Sequence, residues 1–317
     1  MSGLSDAPFF IVGVHRSGTT LLRYMLSSGG RVYIPPESDF IPRYFGRNPS
    51  RPLSPRQLDA ILRAIFTRYR FVREWEGPPP EKIIFGRNPT PAAFLDTLYR
   101  LYAAQHGAVR WGDKTPIYAS YIPLLHDLFP QARFIHLIRD GRDVALSMLD
   151  KWGRSERHVD LYFAARNWVR RIRQARAAGR QLGPDFYYEL TYERLVQAPA
   201  RELEALCAFL QEEYRPQMAA HHEQARRSVA EGSFHAPVRQ PVGADRVARW
   251  RQSMPPADLR LFESVAGPLL TELSYPLSGL PPLALREQGR LRVLQVKYVT
   301  LQTGRAILQA AGLMPPI

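Results

Sequence analysis

The chain has 317 residues, 45% hydrophobic and 23% charged, with 43 Lys and Arg against 29 Asp and Glu for a formal net charge of +14. This composition excludes wholesale disorder, and a single cysteine, Cys207, excludes an intramolecular disulfide framework and a Cys-clustered zinc site. No run approaches the roughly 18 apolar residues of a membrane span, and residues 1–8 lack the basic start and small-residue cleavage site of a secretory signal. A cytoplasmic, reducing setting is therefore expected. The basic excess is nearly all arginine, because the only lysines are Lys82, Lys114, Lys151 and Lys297. Such a surplus directs attention to an anionic ligand or surface.

The first element, Phe9-Phe10-Ile11-Val12-Gly13-Val14, is an unbroken apolar run of strand length. Continuous rather than alternating hydrophobicity suits a strand buried on both faces of a parallel sheet. It leads into His15-Arg16-Ser17-Gly18-Thr19-Thr20 and a helical stretch that ends at Gly29-Gly30. Strand, glycine loop and helix open an α/β nucleotide-binding domain. A short extended segment, 31–34, stops at Pro35-Pro36. Residues 46–91 are rich in Pro, Arg and aromatics, hold a helix between Pro55 and Trp75, and read as an insertion covering the site. A helix at 92–105, a loop at 111–116 and a helix at 118–129 lead to a second clear strand, 133–138. Then come a helix at 141–149, a long arginine-studded helix at 161–178, a third strand at 186–190 and a helix at 199–210. The stretch 228–244 is loop-like, 256–273 is helical, and a last helix covers 291–311. The fold class is α/β, a P-loop-like three-layer fold with a central parallel sheet flanked by helices. One domain over 1–280 is followed by an amphipathic helical extension, 281–317.

Gly13 and Gly18, with four residues between them and Thr19-Thr20 after, have the spacing of a loop whose backbone N–H groups and helix N-terminus cradle phosphate. A nucleotide triphosphatase carries lysine where Thr19 stands and needs an acidic residue closing a later strand to hold magnesium. Here the second strand ends in Ile138-Arg139, a cation. The loop is an anion cradle charged by Arg16, and no metal is expected. A magnesium-dependent P-loop phosphotransferase, and a non-catalytic anion-binding or membrane-adaptor protein, stay open as rivals at this point.

These segments resemble the sulfotransferase family, whose donor is 3′-phosphoadenosine-5′-phosphosulfate (PAPS). Residues Gly13 to Leu22 resemble the family's 5′-phosphosulfate loop, which assigns donor binding to Arg16, Ser17, Gly18, Thr19 and Thr20. Residues Phe134 to Ser147 resemble its 3′-phosphate site, with Arg139 at the strand end and Ser147 eight residues later. Tyr192-Glu193-Arg194-Leu195-Val196, with Pro199, resembles the third conserved region, and Tyr192 would pack near the adenosine. Val247-Ala248-Arg249-Trp250, Pro255-Pro256 and Leu269-Leu270 to Tyr275 are similar to the C-terminal part of tyrosylprotein sulfotransferases, with Arg249 closing over the donor. The resemblance implies sulfuryl transfer from PAPS to a lipid, carbohydrate, metabolite or tyrosine hydroxyl. It makes Glu37 the general base and gives Lys114 and Arg16 contacts to the transferring group. His15 is the rival base, and His136, mid-strand, reads as a core histidine.

Simple chemistry agrees with the second phosphate site. Arg139 to Ser147 spans a strand's C-terminal end and the first two turns of the next helix, so an anion there meets a guanidinium fork, a hydroxyl and the positive end of a helix. Arg166, Arg170, Arg171, Arg173, Arg176 and Arg180 are expected to face outward without acidic partners, opposite Leu161, Ala165, Trp168, Val169, Ile172 and Ala175. That stripe reads as a solvated face or as a docking surface for an acidic acceptor or lipid head groups. The last helix places Arg290, Arg292, Lys297 and Arg305 among Leu291, Leu294, Tyr298, Leu301 and Leu308. It suits a peripheral contact with the inner membrane face, a cap on the domain, or a homodimer contact. Nucleic acid is not an expected partner, because no recognised binding module accompanies the charge.

Overall fold

The computed structural model describes residues 4–68, 75, 83, 85, 86, 88–153, 159–228 and 236–310. Among these residues five strands, β1 (Phe9–Gly13), β2 (Val32–Tyr33), β3 (Arg110–Lys114), β4 (Arg133–Ile138) and β5 (Tyr187–Thr191), form one sheet in the order β2-β3-β1-β4-β5. Every pairing is parallel, with Phe9 opposite Gly112 on one side and Arg133 on the other. All five residues of β1 are buried, and they alternate between two cores. Phe10 and Val12 pack with Phe94, Leu98, Trp111 and Phe134 on one face. Phe9 and Ile11 pack with Leu22, Met25, Leu203 and Leu206 on the other. This two-sided burial is why β1 is apolar without alternation.

The helices are α1 (Thr19–Ser27), α2 (Ile41–Phe45), α3 (Pro55–Arg68), α4 (Pro91–Gln105), α5 (Ile122–Leu128), α6 (Gly141–Trp152) and α7 (Leu161–Leu182). After them come α8 (Tyr192–Gln197), α9 (Pro199–Leu210), α10 (His222–Ser228), α11 (Trp250–Ser253), α12 (Pro256–Glu272) and α13 (Leu285–Ala310). Helices α1 and α9 cover one face of the sheet, and α4 and α5 cover the other, with α7 contributing Ala175 and Ala178 to that second core. A further core joins α6, α7 and α12 through Val144, Trp168 and Phe262. The central strand β1 separates β3 from β4, so the connections leave it toward opposite edges. The crevice beyond the strands' carboxyl ends is the ligand position of such sheets.

Several local expectations need correction. Residues 111–114 of the loop expected at 111–116 belong instead to the strand β3, lying between β2 and β1. Gly112 is needed there because a Cβ would sit 2.7 Å from the Phe9 ring. The helix expected at 118–129 divides into a 3₁₀ turn, Pro116–Ser120, and α5, with proline in the first turn of each. The last helix starts earlier, at Leu285. Arg171 does not face outward: it is buried, and its guanidinium bonds Asn167 Oδ1 and the Ile117 carbonyl. Arg176 has acidic partners in Glu189 and Glu272.

Within 46–91, Leu53, Ile61, Leu62, Ile65 and Trp75 join the main core. The parts of that expected insertion at 69–74, 76–82, 84 and 87 lie outside the described residues.

Candidate active site

A cavity of about 350 Å³ opens at the carboxyl ends of the strands, lined by residues that follow β1, β2 and β4. Its floor is the turn after β1. Gly13 approaches β4 so closely that a Cβ would lie 2.6 Å from the Leu137 carbonyl oxygen. Arg16 adopts φ 74° and Gly18 φ 97°, so the turn rests on two left-handed residues. At Gly18 a Cβ would meet the Tyr192 ring at 2.5 Å, which makes glycine necessary on both steric and conformational grounds. Gly18 caps α1 without any side-chain hydrogen bond to its first N–H groups. Those N–H groups, at Thr19 and Thr20 beside the cavity, leave the positive end of the helix for an anion.

The opposite wall is cationic. Arg139 follows β4, is 6% exposed, and donates through Nη1 to the Arg16 carbonyl at 3.1 Å and through Nη2 to the Arg246 carbonyl at 2.6 Å. Its guanidinium also lies 4.5 Å from the Tyr192 ring centroid. Arg16 Nε donates to Ser147 Oγ at 2.9 Å, so the loop after β1 and the second turn of α6 meet directly. Burial first, and then the neighbouring guanidinium groups of Arg139 and Arg246, push the Arg16 pKa below its usual range. Three like charges around one cavity repel one another, and a multiply charged anion relieves that repulsion. Arg139 Nε and Ser17 Oγ are buried donors without a hydrogen-bond partner among the described residues.

At the end of the cavity nearest β2 and β3 stands Glu37, with Lys114 behind it. Lys114 closes β3, is 1% exposed, and donates to Glu37 Oε1 at 2.6 Å and to Thr20 Oγ1 at 3.4 Å. Burial lowers the lysine pKa, and Glu37 opposes that shift. Asp39, at φ 55°, is exposed, and partial loss of its hydration, followed by the carboxylates of Glu37 and Asp113, raises its pKa above the usual carboxylate range. Asp113 accepts the Tyr99 hydroxyl at 2.6 Å. His15 lines the cavity against Trp152, and burial pushes it down to about 4, with Arg171, Lys114 and Arg16 lowering it further against the opposing effect of Glu37.

Among the expected site residues, Arg16, Gly18, Thr19, Thr20, Glu37, Arg139, Ser147 and Tyr192 line the cavity together. Lys114 reaches it through Glu37 and Thr20, and Ser17 is buried within the turn. Arg249 is not among the lining residues; its guanidinium lies 3.8 Å from Asp150. Arg246 lines the cavity instead, with Val238, Gln240, Pro241, Val242, Gly243 and Asp245. No spacing in the sequence marks that segment, since it is placed by the Arg139 bond to a carbonyl 107 positions away. His136 is the expected core histidine, its Nδ1 bonded to the Tyr187 hydroxyl at 2.6 Å.

Comparison with known proteins gives this geometry a family. The model of the sulfotransferase family matches residues 8–216. A putative protein-tyrosine sulfotransferase of Caenorhabditis briggsae is 26% identical over 282 residues, covering 86% of this chain and 90% of that protein. An uncharacterized protein of Aquifex aeolicus is 28% identical over 254 residues, 78% of this chain but only 31% of that longer protein. The sulfotransferase domain of the Synechococcus PCC 7002 olefin synthase shares the fold, with a TM-score of 0.57, 24% identity, and coverage of 89% of this chain and 98% of that domain.

Proposed function

Because the chain belongs to the sulfotransferase family, we propose that its cavity holds PAPS and passes the sulfuryl group to an acceptor hydroxyl at Glu37. The observation that carries this reading is the pairing of Glu37 with Lys114 at 2.6 Å, directly beside Thr20 at the start of α1. A base and a cation thus flank the place where a phosphate on the helix N-terminus would end.

The residues divide the work along the cavity. Gly18, Thr19 and Thr20 present backbone N–H groups, and Arg16 a guanidinium, to the 5′-phosphosulfate. Arg139, Ser147 and Arg246 present charge and a hydroxyl to the 3′-phosphate, and Tyr192 packs by the nucleoside. Sulfuryl transfer is an in-line displacement. The acceptor oxygen forms a bond to sulfur as the bond from sulfur to the 5′-phosphate oxygen breaks, and adenosine 3′,5′-bisphosphate (PAP) departs. Glu37 takes the acceptor proton. Lys114 and the loop N–H groups hold the charge that grows on the leaving phosphate, in a buried position where such contacts are strongest. His15 is a poorer base, since a group held near 4 by burial and by three cations resists protonation.

The acceptor class is open to direct measurement. Radiolabelled PAPS is incubated with pools of lipid, glycan, phenol and peptide acceptors, in parallel with the Glu37→Gln variant. Label transferred by the wild type, and lost in the variant, supports the reading. Equal transfer by the variant removes Glu37 from the role of base.

A further inference from the structure

Helix α13 carries two apolar faces, and among the described residues only one of them is covered by the domain. Leu291, Leu294 and Tyr298 pack toward α7, where Tyr298 meets the rings of Tyr162 and Phe163 at 5.6 and 6.4 Å. Polar ties fix the same side. Lys297 bonds Asp160 at 2.7 Å, Arg290 bonds Asp258 at 2.6 Å, and Arg260 pairs with Glu287. On the other side Val293, Val296 and Val299 are 68%, 67% and 61% exposed, and Leu285 and Ile307 are exposed with them. Steps of three, four and multiples of these place Leu285, Val293, Val296, Val299 and Ile307 along one side of the helix. Leu277 and Leu280, in the segment that leads into α13, add exposed apolar surface.

The charges around this stripe are of one sign. Glu287 is the only acidic residue of α13, and it is engaged by Arg260 on the domain side. From Gln288 to Ile317 the sequence contains no Asp or Glu, while it contains Arg290, Arg292, Lys297 and Arg305. Arg286 and Arg292 are exposed beside the stripe. A second copy seated on this face would bring cations against cations, with no carboxylate from either helix to pair them. An anionic bilayer supplies both complements at once: an acyl boundary for valine and isoleucine, and phosphate for arginine. Among the described residues no helix is long and apolar enough to cross a membrane, so α13 would lie in the interface rather than span it.

We propose that the outward face of α13 docks the protein on the surface of an anionic lipid bilayer. Among the described residues none of α13 lines the cavity, so docking and sulfuryl transfer are separable. This inference stands independently of the proposed donor and acceptor.

The test is flotation of the full chain with phosphatidylcholine vesicles, prepared with and without phosphatidylglycerol. Wild-type protein rises with the phosphatidylglycerol vesicles and stays below with the neutral ones. The triple substitution Val293→Ser, Val296→Ser and Val299→Ser lowers the vesicle-bound fraction at least about tenfold, with PAP affinity and thermal midpoint unchanged. Arg286→Gln with Arg292→Gln lowers it several-fold, and added salt mimics that loss. Failure of the wild type to float with phosphatidylglycerol, or equal flotation of the valine variant, overturns the proposal. So does a dimer in sedimentation equilibrium that the valine substitutions abolish while vesicle binding is absent, which would give the face to a second copy.

Discussion

Lys114 and Glu37 stand 2.6 Å apart, with the lysine side chain 1% exposed and the glutamate 32%, so neither can be removed without changing the other. At that separation an effective dielectric of about 20 gives an attraction of about 6 kcal/mol. Burial of the lysine and solvent screening on the open side of Glu37 reduce the net coupling to about 2–3 kcal/mol. Lys114→Met keeps the volume and removes the cation, whereas Glu37→Gln keeps the shape and removes its counter-charge. In a transfer assay with labelled PAPS, each single variant loses about 10²–10⁴-fold in kcat. The double variant falls within about tenfold of the slower single, because the two groups act as one unit. Urea unfolding of the four proteins gives a coupling energy of about 2–3 kcal/mol in the double-mutant cycle. Losses that multiply in the double variant, with a coupling energy below about 0.5 kcal/mol, refute the joint role.

Arg139→Ala weakens PAP binding by about 100-fold in calorimetry, the value of one or two lost charge-assisted hydrogen bonds; unchanged affinity would place the 3′-phosphate elsewhere. Arg139→Lys restores only part of it, since an ammonium cannot replace the fork that holds both the Arg16 and Arg246 carbonyls. Gly18→Ala forces a Cβ within 2.5 Å of Tyr192 at φ 97°, which costs about 2–4 kcal/mol and shows as a lower midpoint in thermal unfolding; an unchanged midpoint would contradict the packing. Burial lowers both His15 and His221 from 6.5 to about 4, so the unfolded chain binds more protons in that window. Stability is full above pH 6.5 and falls toward pH 4, by about 1.4 kcal/mol per pH unit for each histidine, and His221→Gln reduces the slope measured by urea unfolding.

The parts of the fold and site with local signals were legible in the sequence. β1 is apolar because it is buried on two faces, and its loop needs glycine at Gly13 and Gly18 for steric reasons visible in the spacing. Arg139 to Ser147 is likewise one strand end and one helix start. Strand β3 escaped notice because three of its five residues, Arg110, Asp113 and Lys114, are polar. They are buried only because distant partners satisfy them: Glu212, Tyr99 and Glu37. Arg171 misled helical counting for the same reason, since Asn167 and the Ile117 carbonyl meet it inside. Arg246 takes its place from a tertiary bond, and Arg249, which the resemblance favoured, lies against Asp150. The outward apolar face of α13, at Val293, Val296 and Val299, went unread in the sequence, because periodicity identifies a face without saying what covers it.

The most direct test of a donor site built around a 3′-phosphate is calorimetric titration of the protein with PAP and with ATP, each with and without magnesium. The expected result is one PAP per chain, bound at least about 100-fold more tightly than ATP and unaffected by the metal. ATP bound as tightly as PAP, with magnesium-dependent ATP turnover, would contradict it.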